Sequence, residues 1–338
     1  MRRFAEDRIR KDLSKKIVLL AGARQAGKTT LSRQLGLKHA YLNFDSAEDR
    51  KLLRLRQWDR QVEIVILVRE VRDEIEPADA LQRILTVGGF PEPFLSNDQN
   101  EARRWRRTHI DSILREDLLD LEKVRALKSI ELLVELLTER VSSTVSFSSL
   151  ARDLEVSAHT VKHWLEILEN LYVIFAVRPF HTNVARSILK ESKYYFYDTG
   201  ALAQAGVDQG AVFENAVACA LARELHLTED FTGRKANLCF LRDKEKREVD
   251  FLVLIDRTPQ QLIEAKWADD TFSRSLGYFR NLFPAARALQ VVRSLDRPRE
   301  DRARSLRMLP AADYLAEISF LEDIVRPRIR GARGLGGP

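Results

Sequence analysis

Residues 16–30 read KIVLLAGARQAGKTT, a short apolar run followed directly by a glycine-rich run. The glycine-rich part fits the spacing G-x-x-x-x-G-K-[ST], in which the glycines let backbone N–H groups surround phosphate oxygens. Lys28 would place a positive charge on the phosphates, and Thr29 would offer its hydroxyl to Mg²⁺. The stretch predicts a strand, a loop and a helix that bind ATP or GTP. The predicted nucleotide-binding residues are Gly22, Ala23, Arg24, Gln25, Ala26, Gly27, Lys28, Thr29 and Thr30.

The strands around this loop indicate a parallel nucleotide-binding sheet that is short for its type. Apolar runs at 17–21, 40–44 and 62–68 predict its strands. The pattern then stops, and from Ala78 the chain reads as helices. Domains typically need about 100–150 residues, so we expect a truncated P-loop domain over residues 1–76.

The composition suits a globular protein of two or three domains. The chain has 338 residues, of which 45% are hydrophobic and 31% are charged. Lys and Arg exceed Asp and Glu by 56 − 50 = 6, which permits nucleic-acid contact without requiring it. No apolar run approaches the roughly 18 residues of a membrane span. Cys219 and Cys239 have no Cys or His partner at metal spacing, so we expect no structural zinc and a reducing cytoplasm.

The middle of the chain predicts a helical lid over 77–128 and a winged helix over 129–199. An apolar stripe at helical spacing runs through Ile130, Leu133, Val134, Leu137 and Val141. Two helices follow at 147–154, with a cap from Ser146 or Ser148, and at 159–171. Strands at 172–179 and 194–197 complete a helix-turn-helix with a β wing.

The evidence for DNA contact in this region allows two interpretations. The second helix exposes His159, Lys162 and His163, but also Glu166 and Glu169, so a DNA reader and a mere connector both remain open. Trp105 is flanked by four arginines that would contact phosphates or form a solvated helix face. The arginines are Arg103, Arg104, Arg106 and Arg107.

Four charged residues between 214 and 266 predict a second chemical site. Glu264 and Lys266 lie two positions apart on a predicted strand and so point to the same face. If the strand at 249–255 pairs with it, Asp250 joins them. Asp250 and Glu264 would then hold Mg²⁺, and Lys266 would orient or activate a water. Glu214, on the preceding helix, would add a further ligand. The alternative is that each charge lies on a solvated strand edge.

Several of these stretches together resemble the prokaryotic AAA-type ATPases with an N-terminal P-loop domain, a winged helix and a C-terminal DUF4143 domain. The resemblance implies that the C-terminal domain is similar to restriction-endonuclease-like PD-(D/E)xK folds, which supports the roles given to Asp250, Glu264 and Lys266. Members of this kind are mostly described as ATP-binding proteins rather than nucleases. The matching stretches are 22–30, 41–45, 87–93, 194–200 and 248–266.

The chain departs from this family where a Walker B strand is expected. Leu67 and Val68 stand where the family places its two acids, and Glu70 arrives later. The sensor strand and the arginine finger are missing as well, which an internal deletion would explain. Hydrolysis needs a metal-holding acid, a positioned water and a cation for the transition state. We therefore expect weak or no ATP hydrolysis, with Asp45 or Glu70 as an alternative acid.

The expected fold class is α/β: a truncated P-loop parallel sheet, a helical lid with a winged helix-turn-helix, then a restriction-endonuclease-like α/β domain over 200–325 and a disordered tail over 326–338. The expected function is ATP binding of the AAA type, with ATP and Mg²⁺ as cofactors. The alternative is a Mg²⁺-dependent DNA-binding or nuclease-like protein. DNA and a second copy of the chain are candidate partners, a membrane is not, and the expected location is the cytoplasm. An inactive remnant that does not fold stably is a third alternative.

Overall fold

The computed structural model describes residues 75–112, 124–181, 191–268 and 271–320, without the side chains of 110–112 and 124–126. The predicted phosphate-binding loop and the strands at 17–21, 40–44 and 62–68 lie outside the described residues. So do Asp45, Leu67, Val68, Glu70 and the predicted tail at 326–338. The described part of the chain is a mixed α/β structure.

The described part of the chain contains ten helices. Four of them, α1 to α4, precede the first strand: Pro77–Val87, Pro91–Ser96, Gln99–Ser112 and Val124–Thr138. The next four are α5 (Phe147–Asp153), α6 (Ala158–Asn170), α7 (Thr199–Gln204) and α8 (Gln209–Thr232). The last two are α9 (Arg274–Leu282) and α10 (Ala311–Glu317).

Nine strands of the described chain form one mixed sheet in the order β1-β3-β2-β4-β5-β6-β7-β9-β8. The pairs β2/β4, β6/β7 and β7/β9 are parallel and the other neighbouring pairs are antiparallel. The strands β1 to β5 are Thr144–Val145, Ile174–Pro179, Ser192–Phe196, Ala236–Arg242 and Glu248–Ile255. The strands β6 to β9 are Thr258–Lys266, Arg287–Val292, Arg299–Asp301 and Leu306–Pro310.

The region 124–196 has the element order α4-β1-α5-α6-β2-β3, with β2 and β3 as an antiparallel pair. The predicted apolar stripe is inside, since Ile130, Leu133 and Leu137 are almost fully buried. The expected cap of α5 is wrong in its chemistry. Ser146 occupies the N-cap position, but its hydroxyl bonds the Ser148 hydroxyl rather than the helix backbone.

The region 209–292 has the order α8-β4-β5-β6-α9-β7, with the two helices on opposite faces of the sheet. Successive side chains of a strand point to opposite faces, and β5 uses both. Phe251 and Val253 enter the core that includes α8, whereas Leu252 and Leu254 enter the core that includes α9. A strand covered on both faces must be apolar throughout. The polar residues at its start, Glu248 and Asp250, therefore need a separate explanation.

Two features of the described chain were not expected from the sequence. The basic stretch at 297–307 contains β8 and the first two residues of β9, joined by a turn. Trp105 and Arg106 are buried, Trp105 against the rings of Phe90 and His109. The interpretation of the tryptophan and its arginines as one solvated or phosphate-binding face is therefore wrong for these two residues. No helix among the described residues has the length and apolar character needed to cross a bilayer.

Candidate functional site

The structure brings together the four charged residues that the sequence singles out between 214 and 266. Glu214 lies on α8, Asp250 near the start of β5, and Glu264 and Lys266 at the end of β6. Asp250 Oδ2 accepts a hydrogen bond from the backbone N–H of Ala265 at 2.9 Å, which places Asp250 beside Glu264. Lys266 Nζ lies 2.9 Å from Glu264 Oε1. Asp250 and Glu264 are buried rather than on a solvated strand edge, since they are only 8% and 5% exposed.

Sequence reasoning missed Lys193, which lies in the middle of this cluster. Its Nζ is 3.2 Å from Glu214 Oε1, 2.7 Å from Glu248 Oε1 and 3.8 Å from Asp250 Oδ1. Glu214 Oε1 also accepts a hydrogen bond from the Tyr195 hydroxyl at 2.6 Å. Period-two spacing puts Lys193 and Tyr195 on one face of β3, but no local signal in the sequence indicated that Lys193 is buried.

The cluster has more negative than positive charge. Its carboxylates are Glu214, Glu248, Asp250 and Glu264, and its ammonium groups are Lys193 and Lys266. Glu248 also lies 3.6 Å from the partly exposed Arg242. With every group ionised the sum is 3 − 4 = −1. A buried excess charge is unfavourable unless a proton or a cation offsets it.

The pKa values of the carboxyl groups reflect this excess. Burial, with added repulsion from Asp250, raises the pKa of Glu214 to about 7. The same two causes raise the pKa of Glu264 to about 7. Burial also raises the pKa of Asp250, although Lys193 opposes that shift. Burial acts against the charged form of Lys193, but Glu214, Asp250 and Glu248 together hold its pKa above the ordinary value.

One oxygen of the cluster is placed where it could bind a cation. Glu264 Oε2 is buried and has no hydrogen-bond partner in the described part of the chain. Mg²⁺ is usually held by one or two carboxylates and several waters, which suits Asp250 and Glu264. However, within the described ranges no three histidine, cysteine, aspartate or glutamate side chains converge as a ready-made metal site. Thr29, the other predicted metal ligand, lies outside those ranges.

The comparisons with known proteins divide the chain into three consecutive stretches. Family models match at residues 14–86, an AAA domain, and at residues 209–314, the domain of unknown function DUF4143. The chain combines an AAA-type N-terminal domain with a C-terminal DUF4143 domain. Between them, residues 78–210 match a further domain of unknown function, DUF8612. The candidate cluster draws on two of these stretches, since Lys193 precedes residue 209 and its carboxylate partners follow it.

Three curated relatives extend this similarity along the chain. Uncharacterized proteins of Mycobacterium tuberculosis and Mycobacterium bovis are each 23% identical to it over 335 residues, covering 81% of this chain and 76% of the relative. An uncharacterized protein of Methanocaldococcus jannaschii is 25% identical over 196 residues, covering 55% of this chain and 42% of the relative. No solved structure gives a significant match.

Proposed function

We propose that this chain is an ATP-binding protein of the AAA type with weak or no ATP hydrolysis. The match of residues 14–86 to an AAA domain supports an ATPase-like unit, and the G-x-x-x-x-G-K-[ST] spacing at 22–30 supports nucleotide binding there. In this proposal Lys28 would contact the phosphates, and Thr29 would hold Mg²⁺ alongside them. The absence of an Asp-Glu pair after the run at 62–66 supports slow turnover, and an internal deletion accounts for it.

The proposed domains are the predicted ones: the P-loop domain at 1–76, the lid at 77–128, the winged helix at 129–199 and the nuclease-like domain at 200–325. The element order α4-β1-α5-α6-β2-β3 supports the winged helix. The charge on the exposed face of α6 gives DNA binding little support, because Lys162 lies 3.7 Å from Glu166.

Nucleotide binding is tested by the thermal unfolding of the full chain with ATP and Mg²⁺. A ligand that binds only the folded state stabilises it by RT ln(1 + [L]/Kd), about 2.7 kcal/mol at a hundredfold excess over Kd. The wild type is expected to shift, Lys28→Ala to lose the shift, and the control Lys38→Ala to keep it. A cooperatively unfolding wild type without any shift overturns the proposal. Phosphate release by the same samples measures turnover.

A second candidate function rests on the C-terminal cluster. We propose that Asp250, Glu264, Lys266 and Glu214 form a Mg²⁺-dependent, nuclease-like site that acts on DNA. The observation that carries this proposal is the buried, unpartnered Glu264 Oε2 in a cluster with excess negative charge. The order α8-β4-β5-β6-α9-β7, with helices on both faces, supports a restriction-endonuclease-like domain.

The residues of the cluster have separate roles in this proposal. Asp250 and Glu264 would hold the ion, which when bound lowers the pKa of its water and stabilises charge on a phosphodiester. Lys266 is the one lysine of the pair that is partly exposed, with 37% of its side chain accessible, so it can reach a substrate or a water. Glu214 is held by Lys193 and Tyr195, which fixes the position of α8 relative to β3.

Plasmid and oligonucleotide cleavage with Mg²⁺ tests this second function. Asp250→Asn and Glu264→Gln keep the side-chain size and are expected to abolish cleavage, while the exposed control Glu131→Gln retains it. Cleavage that persists in either site variant sinks the assignment. The increase in protein stability on adding Mg²⁺, measured for the same three variants, reports metal binding and does not depend on the choice of DNA.

A further inference from the structure

Lys193 has an environment that is unusual for a lysine. It is 1% exposed and is the second residue of the five-residue strand β3, every residue of which is buried. Three carboxylates from α8 and β5 surround its Nζ at 2.7 to 3.8 Å. The ring of Phe240 lies 5.6 Å from the same atom. Lysine is among the residues least often fully buried unless it is paired, so its charge has a specific use here.

The positions of the carboxylates explain what the charge of Lys193 does. Glu214 comes from α8, whereas Glu248 and Asp250 come from β5, and without a cation among them they would repel one another. Burying an ion pair costs free energy that an apolar packing would not. The ammonium group therefore serves the carboxylates rather than the packing of β3.

The distances from Lys193 Nζ to the surrounding carboxylate oxygens are those of an ammonium group, not those of a bound metal ion. Mg²⁺ binds oxygen at about 2.0–2.1 Å, and the oxygens around Lys193 Nζ are spaced for a larger ammonium group. Asp250 points one oxygen to Lys193 and the other to the N–H of Ala265, next to Glu264. Asp250 thus has the ammonium group of Lys193 on one side. On its other side lies Glu264, whose Oε2 has no hydrogen-bond partner in the described part of the chain.

We propose that Lys193 fills the position of a second divalent cation, so that the site takes one Mg²⁺ at Asp250 and Glu264 rather than two. Two-metal sites in phosphodiester chemistry place a divalent ion at each of two such positions. This proposal rests on the nuclease-like function above and adds to it the number of ions and the residue that sets that number. Lys193 is a positioning residue, since it acts through the carboxylates.

The test counts bound Mn²⁺, used as the probe ion, on the full chain without nucleotide, by electron paramagnetic resonance of the free ion. Lys193→Met removes the ammonium group and keeps an unbranched side chain. The wild type is expected to bind one ion at the cluster and Lys193→Met to bind a further one. Glu264→Gln is expected to lose the ion that the wild type binds. Tyr195→Phe is the matched control, because it removes a neighbouring contact to Glu214 but leaves the ammonium group in place.

Each outcome decides a different claim. If Lys193→Met folds and binds no more Mn²⁺ than the wild type, Lys193 does not stand for a metal ion and this inference is overturned. If the wild type binds no ion at the cluster, the proposed metal site fails first.

Loss of Lys193 also leaves a larger negative charge, so the variant is examined with and without the ion. A Lys193→Met protein that is unfolded in EDTA and folds with Mn²⁺ supports the proposal. If Mn²⁺ does not restore folding, Lys193→Gln is measured in the same way, since its amide still donates hydrogen bonds to the carboxylates. An unchanged ion count in Lys193→Gln overturns the proposal.

Discussion

The Arg106 guanidinium lies 2.6 Å from the Asp198 carboxylate, in a space that Gly88 and Gly200 leave open. Arg106 also donates a hydrogen bond to the carbonyl of Val87. This one side chain therefore joins α3 to the end of α1 and to the start of α7. The two sequence stretches at 87–93 and 194–200, which lie more than a hundred positions apart, meet around it. Its role is to hold the helices at 77–112 against the rest of the described chain.

Adding a methyl group at Gly200 is expected to destabilise the protein, typically by about 1–3 kcal/mol. A Cβ there would lie 1.9 Å from Arg106 Nη2 and 2.6 Å from the Val87 carbonyl carbon, so backbone must shift. Gly89→Ala is the control, because a Cβ at that position meets nothing within 4 Å. Urea unfolding of Gly200→Ala and Gly89→Ala gives the comparison. Equal stability of the two variants would contradict this account of the contact.

Removing Arg106 is expected to cost about 3–5 kcal/mol, because the largely buried Asp198 carboxylate is left without its charged partner. The side chains of the pair are 5% and 15% exposed. The double variant Arg106→Ala/Asp198→Ala should cost less than the sum of the single variants. Arg140→Ala provides the comparison. Arg140 and its partner Asp153 are each about one-third exposed, and such pairs contribute about 0–1 kcal/mol to stability. Similar losses of stability in Arg106→Ala and Arg140→Ala would show that burial does not set the free-energy cost of breaking the ion pair.

The metal-free protein is expected to lose stability as the pH rises from about 4.5 to about 7. The pKa values of Glu214 and Glu264 are raised to about 7 in the folded state, so over this range the folded state binds more protons than the unfolded state. Stability then falls with pH, by up to about 1.4 kcal/mol per unit for each proton. Above pH 7 that stabilising contribution is gone.

Glu264→Gln isolates this effect, because its neutral amide does not titrate. Urea unfolding in EDTA from pH 5 to pH 8 should give a smaller fall for Glu264→Gln than for the wild type. Glu131→Gln, at an exposed position on α4, should follow the wild type. Mg²⁺ should restore stability to the wild type above pH 7 and have less effect on Glu264→Gln. Parallel curves for all three proteins would exclude Glu264 as the cause.

Removing the Tyr195 hydroxyl is expected to destabilise the protein more at pH 8 than at pH 5. The hydroxyl donates to Glu214 Oε1 at 2.6 Å, and hydrogen bonds to a charged group contribute about 1.5–3 kcal/mol against about 0.5–1.5 for neutral pairs. Glu214 is ionised at pH 8 and protonated at pH 5, given its pKa of about 7. Tyr278→Phe, on an exposed ring, is the control. A loss that does not depend on pH would mean that Glu214 keeps one charge state.

Local pattern was sufficient for several of the helices and strands between residues 129 and 266. The stripe from Ile130 to Val141 lies in the core as its 3.6-residue spacing predicts, and the apolar run at 249–255 is a strand covered on both faces. The period-two spacing of Glu264 and Lys266 also placed them within contact of each other. These predictions succeeded because side-chain direction along one element depends only on the backbone of that element.

The family arrangement could likewise be predicted from short motifs, and the AAA and DUF4143 matches confirm it. The bounds of elements were less secure. The stretch at 297–307 reads as a basic surface, because arginines conceal the short strands β8 and β9, which pair with each other and depend on β7 for support.

Only the tertiary structure decided which charged residues are inside. In the sequence Lys193 and Arg106 look like ordinary solvated cations, one in a short strand and one among four arginines. Lys193 is buried because α8 and β5 bring three carboxylates to it, and Arg106 because Asp198 and two glycines make a space for its guanidinium. The free energy of burying a charge is set by partners that are distant in the sequence, so no local pattern in the chain reports it.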